Sequence, residues 1–188
     1  GHRAMIPTCD PLITLDDRRA VDDALRLGHV ALGPEVEQFE EAVARVVGKR
    51  YAVATSSGSA ALHLAMVLIG WAFPVRVPAL TFIATAEAVV RAGCDLAIVD
   101  HDEIADISVN FYGHPPRHEA TIEDACEGLG SSPIGRAAIT CLSFNGNKLV
   151  TCGGGGMAVT DHRDWADEIR SLIAHDREPG IEYRHRSV

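Results

Sequence analysis

The sequence has few of the features that mark membrane, nucleic-acid-binding or secreted proteins. No apolar run approaches the ~20 residues that a membrane-spanning helix needs. Lysine and arginine number 17 against 26 acidic residues, a net charge of -9, so there is no electrostatic reason to expect nucleic acid or anionic lipid as a partner. The five cysteines form no CxxC pair, which argues against a zinc site or a disulfide framework and favours a reducing cytoplasm.

Histidine is present nine times but never in a metal-ligand spacing such as HExxH, so the sequence predicts no metal site. His63 lies in an apolar helical run and is expected to be a packed core residue. The 188 residues, 47% hydrophobic and 23% charged, predict one globular domain. Residues 1–5 are short and polar and are interpreted as a remnant of cloning, which leaves residues 6–188 as the domain.

Two amphipathic helices are predicted first. Leu15 to Leu27 carries an apolar stripe, with Thr14 as N-cap and Gly28 as a stop. Pro34 to Val47 follows, beginning with a proline suited to a first helical position and ending at Gly48.

Short apolar strands then alternate with helices. Helices are expected at Ala60 to Ile69, Phe82 to Ala92 and Trp165 to Ala174. Strands are expected at Tyr51–Thr55, Val75–Pro78, Leu96–Val99, Ile107–Phe111, Ala120–Glu123, Ile139–Phe144 and Met157–Thr160. The alternation predicts an α/β fold with a mostly parallel sheet covered on both faces. It breaks down after Asp100, where successive strands leave no room for a helix.

The turn Ser56-Ser57-Gly58-Ser59 leads from a strand into a helix. Backbone N–H groups and the dipole at a helix start form an anion site, and small residues let a phosphate approach closely. Ser57 and Ser59 add hydroxyl donors. An ordinary N-cap serine in a glycine turn explains the same residues. The segment is neither a Walker loop nor GxGxxG.

Asp124 follows the strand Thr121-Ile122-Glu123, on the side where open α/β sheets bind ligands. A carboxylate there suits a cationic partner such as a protonated ring nitrogen. The alternative is a loop aspartate that caps the next segment. Glu127, three residues later, either lines the same site or is solvated.

Lys148 follows a strand and precedes the glycine run Gly153 to Gly156. A lysine in small, uncharged surroundings is a candidate for a lowered pKa, and a neutral amine can attack a carbonyl. The alternative is a surface lysine before a flexible loop. The four glycines mark a hinge, a close approach of backbone and ligand, or a floppy loop.

Taken together, these motifs resemble the DegT/DnrJ/EryC1/StrS family of pyridoxal-phosphate-dependent sugar aminotransferases, which have the fold-type I, three-layer α/β large domain. The matching stretches are "GPEVEQFEEAVARVVGKRYAVATSSGSAALHLA", "VPALTFIATAEAVVRAGCDLAIVD", "IEDACEGLGSS", "CLSFNGNKLVTCGGGGMAVTD" and "RSLIAHD". The resemblance covers nearly the whole chain, from about Ile6 to Val188.

The resemblance implies a role for each motif residue. Lys148 matches the lysine that forms the Schiff base with pyridoxal 5'-phosphate and then moves the proton. Asp124 matches the partner of the pyridine nitrogen, and Glu127 falls where relatives have Gln or His near the ring hydroxyl. The remaining matches are Gly58, Ser59 and Ser143 at the phosphate and Phe82 stacked on the ring.

The family also implies the reaction and its partners. The wording "SFNGNK" before glycines resembles relatives that aminate UDP- or GDP-linked 4-keto-6-deoxy sugars, with glutamate as amino donor and a homodimer whose active sites lie at the interface. The sequence gives no indication of nucleic acid or membrane partners. A dehydratase of the same family carries histidine in place of the lysine, so Lys148 argues against it. A catalytically inactive cofactor- or protein-binding remnant is the other alternative.

The chain departs from the family in length. It stops where relatives continue with a "GYNYR"-like segment and a small C-terminal domain, and helices are missing within Asp100 to Ser108 and Gly113 to Thr121. A sheet without those helices is expected to expose apolar strand faces. A natural short or split version, a truncated chain, and separate segments numbered continuously all explain this, and incompleteness is the favoured explanation.

Overall fold

The computed structural model describes residues 10–29, 33–100 and 103–174. The expected cloning remnant at residues 1–5 lies outside these ranges. Helix α1 (Leu15–Leu27) begins with a capping box, in which the Thr14 hydroxyl accepts from the Asp17 N–H and the Asp17 carboxylate accepts from the Thr14 N–H. Helix α2 (Pro34–Val47) ends at Gly48, whose φ of 79° only glycine adopts without strain. Both helices have their predicted bounds.

Within the described residues, seven strands and three more helices follow. The strands are β1 (Tyr51–Thr55), β2 (Val75–Pro78), β3 (Leu96–Val99), β4 (Ile107–Val109), β5 (Ile122–Asp124), β6 (Ile139–Ser143) and β7 (Gly156–Thr160). The helices are α3 (Gly58–Ile69), α4 (Ile83–Arg91) and α5 (Arg163–Ile173), with a short 3-10 turn at Phe111–Gly113.

Five strands form one sheet in the order β1-β7-β6-β5-β4, and β2 pairs with β3 in parallel. Strands β4, β5 and β6 are parallel, whereas β7 is antiparallel to both of its neighbours. The two sheets meet where the Asp106 N–H donates to the Arg76 carbonyl at 2.9 Å. Of the five strand pairings, three are parallel, so the expected mostly parallel α/β sheet is confirmed.

Two apolar clusters place helices on opposite faces of the sheet. On one face, α3 and α5 pack on β6 and β7 through Leu62, Met66, Ile139 and Ile169, among others, and α4 packs against α3. On the other face, α2 packs through Val43 and Val47 against the side chains of these strands that point toward α2. Alternation along β7 supplies both clusters, since Ala158 belongs to the first and its two neighbours to the second. The result is three layers.

The expectation that both faces of the sheet are covered is wrong at β3. There Leu96 is 36% and Ile98 57% exposed. The reason is the one anticipated from length: no helix lies between β3 and β4 in the described part of the chain, so these side chains find no cover. Of the helices that the structure describes, none has the length and apolar character required to cross a membrane.

Several predicted boundaries shift at the end of the sheet that carries the motifs. The strand expected to reach Phe111 stops at Val109, because the chain turns at Asn110 into the 3-10 segment, where Tyr112 has a φ of 52°. The strand expected at Ala120–Glu123 runs from Ile122 and includes Asp124 as its last residue. Helix α3 begins at Gly58 rather than Ala60, because Ser57 caps it.

Candidate active site

The carboxyl ends of β1, β4, β5 and β6 meet at one edge of the sheet, and the motif residues lie there around a cavity of about 240 Å³. It is lined by every residue singled out from the sequence: Gly58, Ser59, Phe82, Asp124, Glu127, Ser143 and Lys148. A larger cavity of about 380 Å³ adjoins it beside His114 and Arg117 but contains none of these groups. The residues predicted to carry the chemistry therefore line the smaller cavity.

The turn after β1 forms the first wall. The Ser57 hydroxyl accepts from the Ala60 N–H at 3.1 Å and so caps α3. The first backbone N–H groups of this 12-residue helix have no acceptor within the helix. A Cβ at Gly58 would lie 2.6 Å from the Cys126 sulfur and 2.9 Å from the Ser143 Cβ, so only glycine fits. This wall can bind an anionic group.

The glycine run is fixed by a close approach of two backbones. A Cβ at Gly156 would overlap the backbone of Ser57 and Gly58, and Gly155 pairs with Ser57 in a parallel bridge. The Phe144 N–H donates to the Gly155 carbonyl at 3.0 Å, which joins the run to the end of β6. The close approach seen here is between the glycine run and the turn that precedes α3, and not the approach of backbone to ligand that was one of the interpretations left open by the sequence.

Asp124 is held in place from two sides. It is 4% exposed; the Thr85 hydroxyl donates to one carboxylate oxygen at 2.6 Å, and the Cys126 N–H donates to the other at 3.2 Å. Thr85 is completely buried in α4 and also lies 2.7 Å from the Thr81 hydroxyl. These contacts fix the direction of a carboxylate that lines the cavity. Asp124 is the last residue of β5, and its bond from the Cys126 N–H is also of the kind that a capping aspartate makes.

Lys148 and Glu127 form an ion pair at the mouth of the cavity. Their Nζ and Oε1 atoms are 3.4 Å apart, and the two side chains are 18% and 33% exposed. The other Glu127 oxygen accepts from the Tyr112 N–H at 2.8 Å. The expectation of uncharged surroundings for Lys148 is therefore wrong. It is nonetheless largely shielded from solvent and lines the cavity rather than the outer surface.

Among the polar residues that the sequence analysis did not assign to this site are Thr85 and Asn110. Asn110 follows β4, is 1% exposed and lines the cavity, and neither end of its carboxamide has a hydrogen-bond partner in the described part of the chain. Thr85 lies within a stretch that matches the family but has no role implied there, and Asn110 lies outside the matching stretches. A polar residue at the carboxyl end of each strand is the signal that could have identified Asn110.

The two thiols near the site are poor nucleophiles. Burial, with a further contribution from the Asp124 carboxylate, raises the pKa of Cys126 well above its usual range. The same causes raise the pKa of Cys141. Among the residues that the structure describes, no three His, Cys, Asp or Glu side chains cluster as metal ligands. His63 is only half-buried, so the expectation that it is packed in the core is met only in part.

The fold is a three-layer α/β domain with a cavity at the strand ends, and comparison with known proteins gives its family. The family model described as the DegT/DnrJ/EryC1/StrS aminotransferase family matches residues 11–110 and 117–187. The chain belongs to this family. The resemblance stated from the motifs is confirmed.

Solved structures of similar proteins agree. The chain is 28% identical to NtdA from Bacillus subtilis, solved with bound cofactor PMP, with a TM-score of 0.79 over 94% of this chain and 49% of that one. It is 26% identical to an aminotransferase from Psychrobacter cryohalolentis, with a TM-score of 0.79 over 94% and 57%. It is 28% identical to DesI, solved in the presence of its TDP-sugar product, with a TM-score of 0.71 over 82% and 48%. This chain thus spans about half the length of these proteins.

Proposed function

We propose that residues 6–188 form the cofactor-binding large domain of a pyridoxal-phosphate-dependent aminotransferase that acts on a nucleotide-linked 4-keto-6-deoxy sugar. One observation carries the proposal. A single cavity brings together an amine, a carboxylate fixed by Thr85, and a helix start able to bind an anion. Pyridoxal phosphate presents the three complementary groups: an aldehyde, a protonatable ring nitrogen and a phosphate.

The residues present fit that cofactor. Asp124 would pair with the ring nitrogen, and its buried position with two donors keeps the carboxylate pointed into the cavity. Gly58, Ser59 and Ser143 would bind the phosphate. Phe82, at the start of α4 and 66% exposed, offers a ring face for stacking. When bound, pyridoxal phosphate supplies an electron-withdrawing ring that stabilises negative charge on the carbon losing a proton.

Lys148 is proposed as the nucleophile and as the group that carries the proton. Its Nζ must lose a proton before it can attack a carbonyl. Glu127 lies 3.4 Å away and can accept that proton. Once free, the amine can take a proton from one carbon and return it to another, provided that water is kept out of the cavity.

The substrates and the assembly are part of the proposal. We propose glutamate as amino donor, a nucleotide-linked keto-sugar as acceptor and a homodimer as the working unit. In support, the matching family model is described as an aminotransferase family, and DesI was solved in the presence of its TDP-sugar product. The four cysteines within the described residues are free thiols, which fits a cytoplasmic protein.

The test uses the fact that the chain has only two lysines, Lys49 and Lys148. Lys49 is paired with Asp161 at 3.1 Å and bonded to the Ala137 carbonyl, away from the cavity. Pyridoxal phosphate is added to the wild-type chain, to Lys148→Ala and to Lys49→Arg, and absorbance is recorded before and after glutamate. Borohydride reduction and peptide mapping then locate the label.

We expect a visible band and a label on Lys148 in the wild type and in Lys49→Arg, neither in Lys148→Ala, and loss of the band on adding glutamate. A band without a response to glutamate or to a keto-sugar nucleotide would instead support the inactive cofactor-binding remnant. No band, or a label on Lys49, would contradict the proposal.

A further inference from the structure

Strand β1 is the last strand of the five-stranded sheet, and β7 pairs with one side of it. Beside its other side, residues of α2, β1 and α5 line a groove of about 350 Å³, and no strand of the described residues pairs there. In an extended strand, the N–H and C=O of one residue point to the same side. Ala52 and Ala54 are therefore the residues whose backbone groups face the open side. Such an edge can pair with a strand from another chain.

Two charged side chains close this edge. Glu40, from α2, accepts a hydrogen bond from the Ala54 N–H at 2.7 Å. Arg170, from α5, donates to the Ala52 carbonyl at 3.0 Å and to the second Glu40 oxygen at 3.0 Å. Because α2 and α5 pack on opposite faces of the sheet, this ion pair crosses the edge. It places an acceptor and a donor where a neighbouring strand would place its own carbonyl and N–H.

We propose that the open edge of β1 is a pairing surface for a second copy of this chain, and that Glu40 and Arg170 hold it closed. The proposal does not rest on the proposed function. The second copy is the occupant because the edge is self-complementary. When two β1 strands lie antiparallel and centred on Val53, Ala52 of one copy lies opposite Ala54 of the other, and the two residues exchange N–H···O=C bonds. Two-fold symmetry repeats the contact.

The chemistry of the ion pair keeps the edge closed. The Glu40 side chain is 15% exposed, and both of its oxygens accept hydrogen bonds. Hydrogen bonds to ionised groups are stronger than those between neutral groups. A second strand would replace these bonds by neutral ones and leave a largely buried carboxylate without its partners, which costs free energy. Loss of either charged side chain therefore opens the edge.

The experiment removes each member of the pair and measures association in solution. Glu40→Ala and Arg170→Ala are compared with the wild type by sedimentation velocity over a range of concentrations, and near-ultraviolet circular dichroism reports whether each variant is folded. Glu41→Ala and Arg163→Ala are the matched controls. They remove the same charges from the same two helices, but Glu41 and Arg163 are ion-paired within their own helices.

A double variant tests whether the association uses the edge. Ala54→Pro in the Glu40→Ala background removes the N–H that a second copy would bind, and proline is tolerated where the N–H of an edge strand faces outward. If this double variant does not fold, hydrogen exchange at the Ala54 amide of concentrated Glu40→Ala decides the same question. The amide should be protected in the associated form, because it donates to the second copy.

We expect Glu40→Ala to form a species of about twice the wild-type mass. Arg170→Ala should do so only at higher concentration, because Glu40 still covers the Ala54 N–H. The two controls should keep the wild-type mass, and Ala54→Pro should restore that mass in the Glu40→Ala background.

Other outcomes overturn the proposal. Wild-type mass in Glu40→Ala and Arg170→Ala with the fold retained would show that the edge does not pair. Association that persists with Ala54→Pro, that leaves the Ala54 amide unprotected, or that appears equally in the controls would show that another surface or the lost charge causes it. Unfolding of both variants while the controls stay folded would show that the pair only clamps α2 and α5 to β1.

Discussion

All five residues of β7 are buried, whereas β3, in the two-stranded sheet, leaves Leu96 36% and Ile98 57% exposed. The first region, β6 and β7, has helices on both faces, with α2 on one side and α3 and α5 on the other. The second region, β2 and β3, has α4 packed near it and no other helix described against it. The fully packed region and the half-covered region therefore belong to two sheets, which meet between Asp106 and Arg76.

The candidate active-site residues are divided between the same two regions. Gly58, Ser143, Lys148 and the glycine run belong to the packed region, where Gly58 and Gly156 lie too close to their neighbours to carry a Cβ. Asp124 lies at the boundary and takes one of its two hydrogen bonds from Thr85 of α4. Precise positioning thus comes from apolar packing on both faces, and the half-covered region supplies supporting contacts.

The difference between the two regions is tested most directly by truncating one isoleucine in each of them. Ile139 in β6 is fully buried, so Ile139→Ala should destabilise the protein by about 2–5 kcal/mol through lost burial and a cavity. Ile98→Ala in β3 removes a 57% exposed side chain and should cost about 0.5 kcal/mol or less. Urea unfolding measures both; equal losses would show that β3 is covered in solution.

A second test compares alanine substitutions at two positions of the glycine run. Gly156→Ala places a Cβ against the backbone of Ser57 and Gly58, and such overpacking costs about 1–3 kcal/mol. Pyridoxal phosphate should also bind more weakly, because the turn before α3 must move. Gly154→Ala is the matched control: its Cβ would meet nothing within 4 Å, so its effect should stay within about 0.5 kcal/mol. Equal effects on unfolding and binding would show that the run is loose.

Much of the fold was predictable because local signals and packing agree. Thr14, Gly28 and Gly48 mark helix ends through capping chemistry that acts within one turn, and α1 and α2 have their predicted bounds. The strands of the packed region carry apolar side chains toward both faces, so their sequences are short apolar runs that predict strands. The motif residues were found because they are small, charged or glycine at strand ends, and the structure brings them to one cavity.

The features that could not be predicted from the sequence depend on contacts between residues that are far apart along the chain. The ion pair between Lys148 and Glu127 joins residues 21 positions apart, and the bond from Thr85 to Asp124 joins residues 39 apart. The place of β7 between β1 and β6 was likewise beyond local patterns. Asn110 was missed because its significance lies in the absence of a partner, which only the packed cavity reveals.

The smallest expected effect concerns the boundary of the half-covered region, where Arg76 of β2 and Asp106 before β4 form an ion pair at 2.7 Å. Burial opposes ionisation of Asp106, but hydrogen bonds from the Arg76 side chain and backbone outweigh it and lower the pKa of that carboxyl. A lowered folded-state pKa means that the unfolded chain takes up its proton first as pH falls. The stabilisation is therefore fully present well above the ordinary value of about 3.9 and is lost as pH falls through and below it.

Asp106→Asn should lower the melting temperature at pH 7 by less than Gly156→Ala does, because Arg76 is half exposed and solvent screens the pair. Between about pH 5 and pH 3, the wild type should lose stability more steeply than the variant, and the gap between them should narrow. Asp95→Asn, an exposed carboxylate next to β3, is the control and should leave the wild-type pH profile unchanged. Parallel profiles for the wild type and Asp106→Asn would show that this pair does not hold the two sheets together, and that the backbone bond from Asp106 to Arg76 suffices.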